Sequence, residues 1–486
     1  MKYILVATIG TRDLMFQIKS GEWYNIGDDQ LQDGEIIGEQ AEVIADLTVE
    51  SPISYRELTE YLLDHIKTYR RRIKPIIIGQ LITEKVADLE KIYLIATDQK
   101  PEVRQRNKDS IHAAELIKDW VIHEFDSLKA EDVEIISLGK DGTNPSIFEE
   151  MFRWFRQVWL HQIPQPSGGL WVCLKGGVGQ ASSAARISGL SLYGDRIQFF
   201  EFKQNIKANR QGIPSDYSGP FLGTNYIWDR TQQQVLKLLR RYDYAEVGDV
   251  LQPYFTQDPK GFSSLPNLIK AGKAWNQGEF DTFLSLVKSS FTPAEQRQTG
   301  WWWKAYEQAQ LGFVRLEQEN TTEAMLHSYR SIEGALYLWA KESFPNDVEE
   351  RPDKFPLLDH SITHKYDSLR TRFMDDQNVE LKGWVLRNLL AAAIPEAETS
   401  EDFKAFWNSA REMRNNLSHR LGGLEEKKLF QAWGKDIKDA EQWQHRILNC
   451  LNLLTGQTFK SLSQASLFSK IHYRVVNAIA NYELKM

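Results

Sequence analysis

Polar residues that could do chemistry gather on one predicted helix near the end of the chain, at residues 401–419. One face of this helix is apolar and carries Phe403, Phe406, Ala410, Met413 and Leu417. The other side carries Arg411, Asn415, Ser418 and His419, with Arg414 at the boundary. Gly422 and Gly423 then offer a helix stop. We therefore expect Arg, Asn and His side chains on a face that does not enter the core.

This residue set suits cleavage of RNA without a metal ion. The 2′-hydroxyl of RNA can attack its own adjacent phosphodiester, and a histidine can act as base or acid because its pKa lies near neutrality. An arginine can hold the phosphate and offset transition-state charge, and an asparagine can orient the phosphate or the histidine. The expected products carry a 2′,3′-cyclic phosphate and a 5′-hydroxyl. On spacing alone, an ordinary solvated helix face is the favoured interpretation.

Other histidines give weaker signals. His327, Arg330 and Glu333 share one face of an earlier predicted helix, where we expect structural salt bridging rather than catalysis. His360 and His364 are four residues apart, yet the sequence offers no convincing carboxylate or thiol to complete a zinc site. No metal is therefore expected.

A second kind of chemistry is indicated at the ends of three predicted strands in the first half. Ligands of an open parallel sheet lie beyond the carboxyl ends of its strands. These ends carry Gly10, Thr11, Arg12, Thr97, Asp98, Lys175, Gly176, Gly177, Gly179 and Gln180. Glycine lets the backbone approach a phosphate closely, and Lys175 and the following helix N-terminus add positive charge. A phosphate-bearing ligand is the preferred interpretation.

Two alternatives apply to the glycine loop at residues 175–180. Gly177, Gly179 and Ser182 nearly form the glycine fingerprint of an NAD-type site. That fingerprint normally follows the first strand, however, with an acidic residue about 20 positions later. A purely structural tight turn would use the same glycines.

The elements that must position these residues differ between the two halves of the chain. Continuous apolar runs predict strands at residues 2–8, 74–78, 91–97, 133–138, 170–174 and 197–202. Helical spacing separates several of them, notably at residues 110–125 and 145–160. This alternation implies an α/β fold with a mostly parallel sheet covered on both faces.

The pattern breaks in a stretch rich in Gly, Pro, Ser and Asn, so we expect a connector at residues 206–228. Helical spacing fills the remainder, at residues 229–245, 265–290, 295–317, 321–343, 380–393, 401–419, 425–456 and 466–484. The expected domains are therefore an α/β domain at residues 1–205 and an all-α domain at residues 229–486.

Composition limits the class of protein. The 486 residues, 26% of them charged, suit two or three globular domains. No apolar run reaches the roughly 20 residues of a membrane span, and the opening residues lack a secretory signal, so a cytoplasmic location is expected. Only two cysteines occur, Cys173 and Cys450, which argues against a disulfide framework. A net charge of −7 argues against strong non-specific binding of polyanions.

The first half resembles the CARF domain, the Rossmann-like sensor of CRISPR-associated proteins. The likeness rests on the Gly-Thr-Arg at residues 10–12 and the Lys-Gly-Gly at residues 175–177, which precedes a small-residue helix. The resemblance implies that the domain dimerises and binds a cyclic oligoadenylate across the two-fold axis. It assigns the activator to the ten strand-end residues named above.

The second half resembles the HEPN ribonucleases. Their motif is an Arg and a His separated by four to six residues, with a polar residue directly after the Arg. Arg414, Asn415 and His419 match it position for position. The resemblance implies that two copies of the motif face each other across a dimer and form one composite catalytic site.

The order of the two halves is that of the CARF–HEPN ribonucleases of type III CRISPR systems. It implies a homodimer that binds cyclic oligoadenylate, with the tetra-adenylate favoured over the hexa-adenylate, and then cuts single-stranded RNA with little sequence preference. No cofactor, no membrane and no stable complex with the CRISPR effector are expected. Thr11 and Lys175 would be placed to help in slow cleavage of the activator. The rival interpretation is a nucleotide-sensing regulator or adaptor whose helical half only dimerises.

Overall fold

The computed structural model describes residues 2–27, 30–32, 35–37, 39–50, 53–165, 167–296, 299–373, 377–419 and 421–483. The chain divides into two compact units, Met1–Asp229 and Arg230–Lys485. None of the described helices is long and apolar enough to cross a membrane.

The first unit alternates strands with helices. Its strands are β1 (Tyr3–Ile9), β2 (Leu14–Gln17), β3 (Trp23–Asn25), β4 (Gln30–Gln32), β5 (Glu35–Ile37), β6 (Ile73–Pro75), β7 (Leu89–Thr97), β8 (Val133–Leu138), β9 (Leu170–Cys173), β10 (Ile197–Lys203) and β11 (Asp216–Leu222). Its helices are α1 (Glu39–Leu47), α2 (Tyr55–Asp64), α3 (Ile66–Tyr69), α4 (Gly79–Lys85), α5 (Ile111–Glu124), α6 (Phe148–His161), α7 (Gly179–Tyr193) and α8 (Ile206–Asn209). The division between the units falls within α9 (Gly223–Arg240).

Six strands form the main sheet, in the order β11-β10-β9-β1-β7-β8. All neighbours are parallel except β10 and β11, so the sheet is mostly parallel as predicted. Alternate residues of β1 enter different cores. Leu5 and Ala7 pack on the side of α2 and α5, while Ile4 and Val6 pack on the side of α6 and α7. Burial on both faces explains the apolar runs without alternation.

Two segments of this unit differ from expectation. Residues 74–78 do not form a strand of the main sheet, because β6 pairs antiparallel with β2 in a separate three-stranded sheet. Residues 206–228, expected as a connector, contain α8, β11 and the start of α9. β11 lies at the sheet edge, where a strand tolerates Pro220.

The second unit is mainly helical. Its helices are α10 (Tyr244–Gln257), α11 (Leu265–Asn276), α12 (Phe280–Val287), α13 (Pro293–Gln296), α14 (Trp303–Glu317), α15 (Thr321–Ser343), α16 (Ile362–Lys365), α17 (Gly383–Ala393), α18 (Glu396–Thr399), α19 (Glu401–Ala405), α20 (Arg411–His419), α21 (Glu426–Trp433), α22 (Ala440–Thr455), α23 (Leu462–Ala465) and α24 (Leu467–Ala480). The prediction of an all-α half was wrong in one respect. β12 (Val348–Glu349), β13 (Leu357–Leu358) and β14 (Val379–Glu380) form a small antiparallel sheet, whose two-residue strands carry no periodic signal.

The long helix α15 supports the helix that carries the predicted catalytic motif. The Tyr329 ring of α15 stacks on the Phe406 ring, which precedes α20, with 4.7 Å between centroids. Both side chains are buried, with at most 2% of their surface exposed. The apolar side of the motif segment is thereby attached to the core of the second unit.

Candidate functional site

The carboxyl ends of β1, β7 and β9 meet at one edge of the main sheet. From β1 the chain crosses to β7 and β8 on one side and later returns to β9 and β10 on the other. This reversal makes the edge a topological switch point, where open α/β sheets bind ligands. A cavity of about 850 Å³ opens there, lined by the loops that follow the strands.

Seven of the ten residues predicted for this site line the cavity: Gly10, Thr11, Arg12, Thr97, Lys175, Gly176 and Gly177. The other three, Asp98, Gly179 and Gln180, do not line it. Asp98 is engaged by Arg56 of α2 at 2.9 Å, and Arg56 also binds Asp109 at 3.1 Å. Gly179 and Gln180 begin α7 and are exposed.

Glycines let the loops after β1 and β9 touch each other. A Cβ atom on Gly10 would lie 2.5 Å from the backbone nitrogen of Gly177, and one on Gly176 would lie 2.3 Å from the carbonyl oxygen of Thr8. Gly177 also has a φ of +88°, which other residue types rarely adopt. The Thr8 hydroxyl donates to the Gly176 carbonyl at 2.6 Å. The tight-turn alternative therefore accounts for these glycines, and the cavity beside them is what favours a ligand.

Asp13 is a cavity residue to which the sequence assigned no role. Its side chain is buried, and Oδ2 accepts a hydrogen bond from the backbone N–H of Gly10. Oδ1 has no hydrogen-bond partner among the described residues. Burial raises the pKa of Asp13 to about 7, although the hydrogen bond from Gly10 opposes the shift. Residue type and spacing carry no signal for this, because the burial arises from long-range packing.

The polar lining of the cavity combines an exposed cation with fixed backbone. Lys175 is exposed and forms no ion pair with any described residue. Thr97 Oγ1 accepts from the backbone N–H of Ser110 at 3.0 Å, and the Ser110 hydroxyl donates to the Ile9 carbonyl at 2.7 Å. Further polar lining residues, not singled out from the sequence, are Gln99, Gln105, Lys108, Asn144 and Gln204. This combination suits an anionic ligand with several hydrogen-bonding groups.

The predicted motif helix is interrupted. A π-helical turn, Phe406–Ala410, separates α19 from α20. A π turn holds about one residue more than an α turn, so the faces before and after it are out of phase. Phe403 is fully buried as predicted, whereas Met413 and Leu417 are only half-buried. The interruption lies directly before Arg411, where the polar cluster begins.

Arg414 is held in place by α15. Its Nη2 donates to Oε1 of Glu333 at 3.0 Å, and its guanidinium lies 4.6 Å from the centre of the Tyr329 ring. The salt bridge expected from Glu333 is thus present, and its partner belongs to the predicted motif. The Arg414 side chain remains 30% exposed, so these contacts do not close it off from solvent.

Asn415, Ser418 and His419 lie on the exposed side of α20. The Ser418 hydroxyl donates back to the Arg414 carbonyl at 3.1 Å. No residue of α20 is buried. One chain therefore presents an anchored guanidinium and an exposed imidazole on the same helix, which are the groups that acid–base cleavage of a phosphodiester requires.

The remaining histidines form no evident centre. The rings of His360 and His364 lie 6.5 Å apart. Within the described part of the chain, no group of three or more His, Cys, Asp or Glu side chains is placed to hold a metal ion. His327 lies 3.2 Å from Glu323, and burial lowers its pKa to about 4. These surroundings favour a structural role for His327 over a catalytic one.

Comparisons with known proteins support the fold. No family model matches the chain, and no curated protein matches it significantly. Among solved structures, the chain is similar to Enterococcus italicus Csm6 bound to cyclic hexa-2′-fluoro-hexa-dAMP, with a TM-score of 0.58 and 12% sequence identity. The alignment covers 98% of this chain and 100% of that one. The predicted resemblance to the CARF–HEPN ribonucleases is thereby confirmed at the level of the fold.

Proposed function

We propose that this chain is a CRISPR-associated ribonuclease, activated by a cyclic oligoadenylate bound to the first unit and cutting single-stranded RNA with the second. The observation that carries the proposal is the likeness, along nearly the whole chain, to a Csm6 structure that contains a cyclic hexanucleotide. The cavity at the switch point and the exposed motif on α20 support it independently.

The activator is proposed to bind the cavity at the ends of β1, β7 and β9. A cyclic oligoadenylate carries several phosphates, which suit the Lys175 ammonium and the close backbone approach at Gly10 and Gly177. We propose that two copies of residues 1–205 enclose one ring, and that residues 229–486 carry the nuclease. Our sequence-based preference is for a ring of four adenylates, whereas the ligand of the similar structure is a hexanucleotide.

Cleavage is proposed to use Arg414, Asn415 and His419 without a metal ion. The 2′-hydroxyl attacks the adjacent phosphorus, and the 5′-oxygen leaves, so the products end in a 2′,3′-cyclic phosphate and a 5′-hydroxyl. His419 takes or gives the proton in these steps, and Arg414 stabilises the charge on the phosphate oxygens. Because α20 is exposed, a second copy of the motif is proposed to complete the site.

Activation requires coupling between two sites in different units. Thermodynamic linkage demands that the activator favour the cleaving state and that this state bind the activator more tightly. We also propose that Thr11 and Lys175 support slow cleavage of the activator. An activator ring that stays intact after many hours with the protein would contradict this second activity.

One assay tests the proposed function. Labelled single-stranded RNA is incubated with the protein and EDTA, with no activator, with cyclic tetra-adenylate or with cyclic hexa-adenylate. We expect cleavage only with one of the rings, and a cyclic phosphate at the new 3′ ends. Arg414→Ala should abolish the cleavage, while Arg240→Ala, which changes an exposed arginine of α9, should leave it intact.

Two outcomes would contradict the proposal. If the wild-type protein cuts no RNA with either cyclic oligoadenylate, only the interpretation as a regulator or adaptor would remain. Equal cleavage by the Arg414→Ala variant would remove the motif from the chemistry.

A further inference from the structure

Two large aromatic side chains of the second unit are exposed beside the small sheet formed by β12, β13 and β14. Phe355, which precedes β13, is 46% exposed, and Trp384 at the start of α17 is 56% exposed. Aromatic rings of this size are normally buried, since each removes a large apolar area from water. Their exposure leaves apolar surface available to a ligand or a partner.

The helix α15 connects this region to the motif on α20. Arg414 binds Glu333 of α15, and Tyr337 lies one turn further along the same helix. The Tyr337 and Phe355 rings are 6.2 Å apart between centroids. The Lys382 ammonium lies 5.3 Å from the centre of the Phe355 ring. Glu333 and Tyr337, four residues apart on α15, thus place Phe355 and Lys382 on the side of the unit that carries Arg414.

Each exposed ring is accompanied by a cation. Lys382 accompanies Phe355, and the guanidinium of Arg387 lies 4.9 Å from the centre of the Trp384 ring. Arg387 has no carboxylate partner among the described residues, whereas Glu380 binds both Lys382 and Arg351. Arg330, which is exposed one turn before Glu333, also lacks an ion pair in the described part of the chain.

We propose that Tyr337, Phe355 and Trp384 form a stacking track for the bases of single-stranded RNA leading to Arg414, with Arg387 holding a phosphate. The proposal rests on the proposed ribonuclease activity and names its substrate contacts. Sequence-independent binding of single strands combines aromatic platforms with cations along the backbone. The cations of this surface that have no carboxylate partner among the described residues, Arg387 and Arg330, favour a polyanion as the occupant. They provide local positive charge, which an acidic chain needs to bind nucleic acid.

The test uses full-length protein that carries His419→Ala, so that RNA binding is measured without cleavage, with activator present. Phe355→Ala and Trp384→Ala should each weaken RNA binding at least about fivefold, since one stacked base contributes about 1–3 kcal/mol. Phe355→Tyr and Trp384→Phe should restore most of the affinity. Tyr473→Ala, which removes another exposed aromatic of this unit, should have no effect. With His419 intact, the same variants should raise the KM for RNA and keep kcat.

The outcomes separate this inference from the proposed function. Cleavage with unchanged KM in the Phe355 and Trp384 variants would overturn the track and leave the nuclease in place. Light scattering could instead show that these variants lose dimers, while the remaining dimers bind RNA with unaltered affinity. That result would assign the surface to a second copy and would also overturn the track. If the protein never cleaves RNA but its RNA binding depends on Phe355 and Trp384, the track would be supported and the proposed nuclease activity would not.

Discussion

The cavity of the first unit and the motif helix of the second unit differ in how much of a site one chain supplies. At the cavity, loops from separate strands converge and are fixed by hydrogen bonds such as that from Thr8 to Gly176. On α20, only Arg414 is held, by Glu333 and Tyr329, while Asn415 and His419 are exposed. A preformed cavity and an exposed, incompletely fixed motif fit the activator-dependent ribonuclease proposed above.

The two units also differ in the hydrogen-bond partners that surround a buried carboxyl group. Burial raises the pKa of both Asp13 and Glu307 to about 7. Glu307 accepts hydrogen bonds from Trp275, Ser466 and the backbone of Leu467, so it belongs to a satisfied core network. Asp13 accepts one from Gly10 and lies at the cavity. Its protonation state should therefore affect a ligand, whereas that of Glu307 should affect stability alone.

The largest effect is expected at the motif helix. His419→Ala should lower activator-dependent RNA cleavage at least about 100-fold, because general acid–base catalysis contributes about 10²–10⁴-fold. Activator affinity, measured by calorimetry, should be unchanged. His445→Ala changes another exposed histidine, on α22, and should cleave like the wild type. Near-normal cleavage by the His419 variant would mean that α20 presents an ordinary solvated face.

A smaller effect is expected at the cavity, where a substitution should change the activator affinity and not the cleavage rate. Lys175→Ala should raise the half-activating concentration at least about tenfold, since a hydrogen bond to a charged group contributes about 1.5–3 kcal/mol. The maximal cleavage rate at saturating activator should be kept. The matched control is Lys129→Ala, an exposed lysine outside the cavity. Activation at the wild-type concentration would remove Lys175 from the activator site.

The third prediction concerns pH at the cavity. As the pH rises from 6 to 8, Asp13 loses its proton and places a negative charge near the phosphates, so activator affinity should fall by roughly three- to tenfold. In Asp13→Asn this fall should be absent, because the amide cannot ionise yet still accepts from Gly10. The folded pKa lies above the ordinary value, so the stability that Asp13 contributes below about pH 4 is lost as the pH rises through about 7. If calorimetry gave the same pH profile of activator binding for the wild type and for Asp13→Asn, Asp13 would not be the group that titrates beside the activator.

The smallest effect is expected from the ion pair that engages Arg414. Glu333→Gln should lower the KM for RNA by about 1.4- to fivefold, because a partly exposed ion pair contributes about 0.2–1 kcal/mol and competes with the phosphate. kcat should change less than KM. Glu323→Gln removes a carboxylate of the same helix that faces His327 and should not alter KM. A raised KM in the Glu333 variant would show that Glu333 positions Arg414 instead of competing for it.

The sequence predicted the cavity better than the details around it. Strand ends can be combined from sequence because parallel topology brings them to one edge, which is how Gly10, Thr97 and Lys175 were found. The pairing of β6 with β2 and the edge strand β11 escaped prediction, since short strands depend on distant partners rather than on local pattern.

At the motif, spacing predicted which side chains are exposed but not their contacts. The π turn before Arg411 leaves no mark in residue type, and the salt bridge between Arg414 and Glu333 joins positions 81 residues apart. The burial of Asp13 could not be predicted from the sequence either. Phe355 and Trp384 also needed the structure, because their exposure is a property of the packed unit.

The central claim is that the motif on α20 is half of a composite site. Wild-type and His419→Ala chains with different tags can be co-expressed, and the heterodimer purified through both tags and assayed with saturating activator. A composite site predicts cleavage far below half of the wild-type rate, because every site then contains one inactive copy. A heterodimer with about half of the wild-type rate would show that each chain cleaves RNA independently, and would contradict the claim.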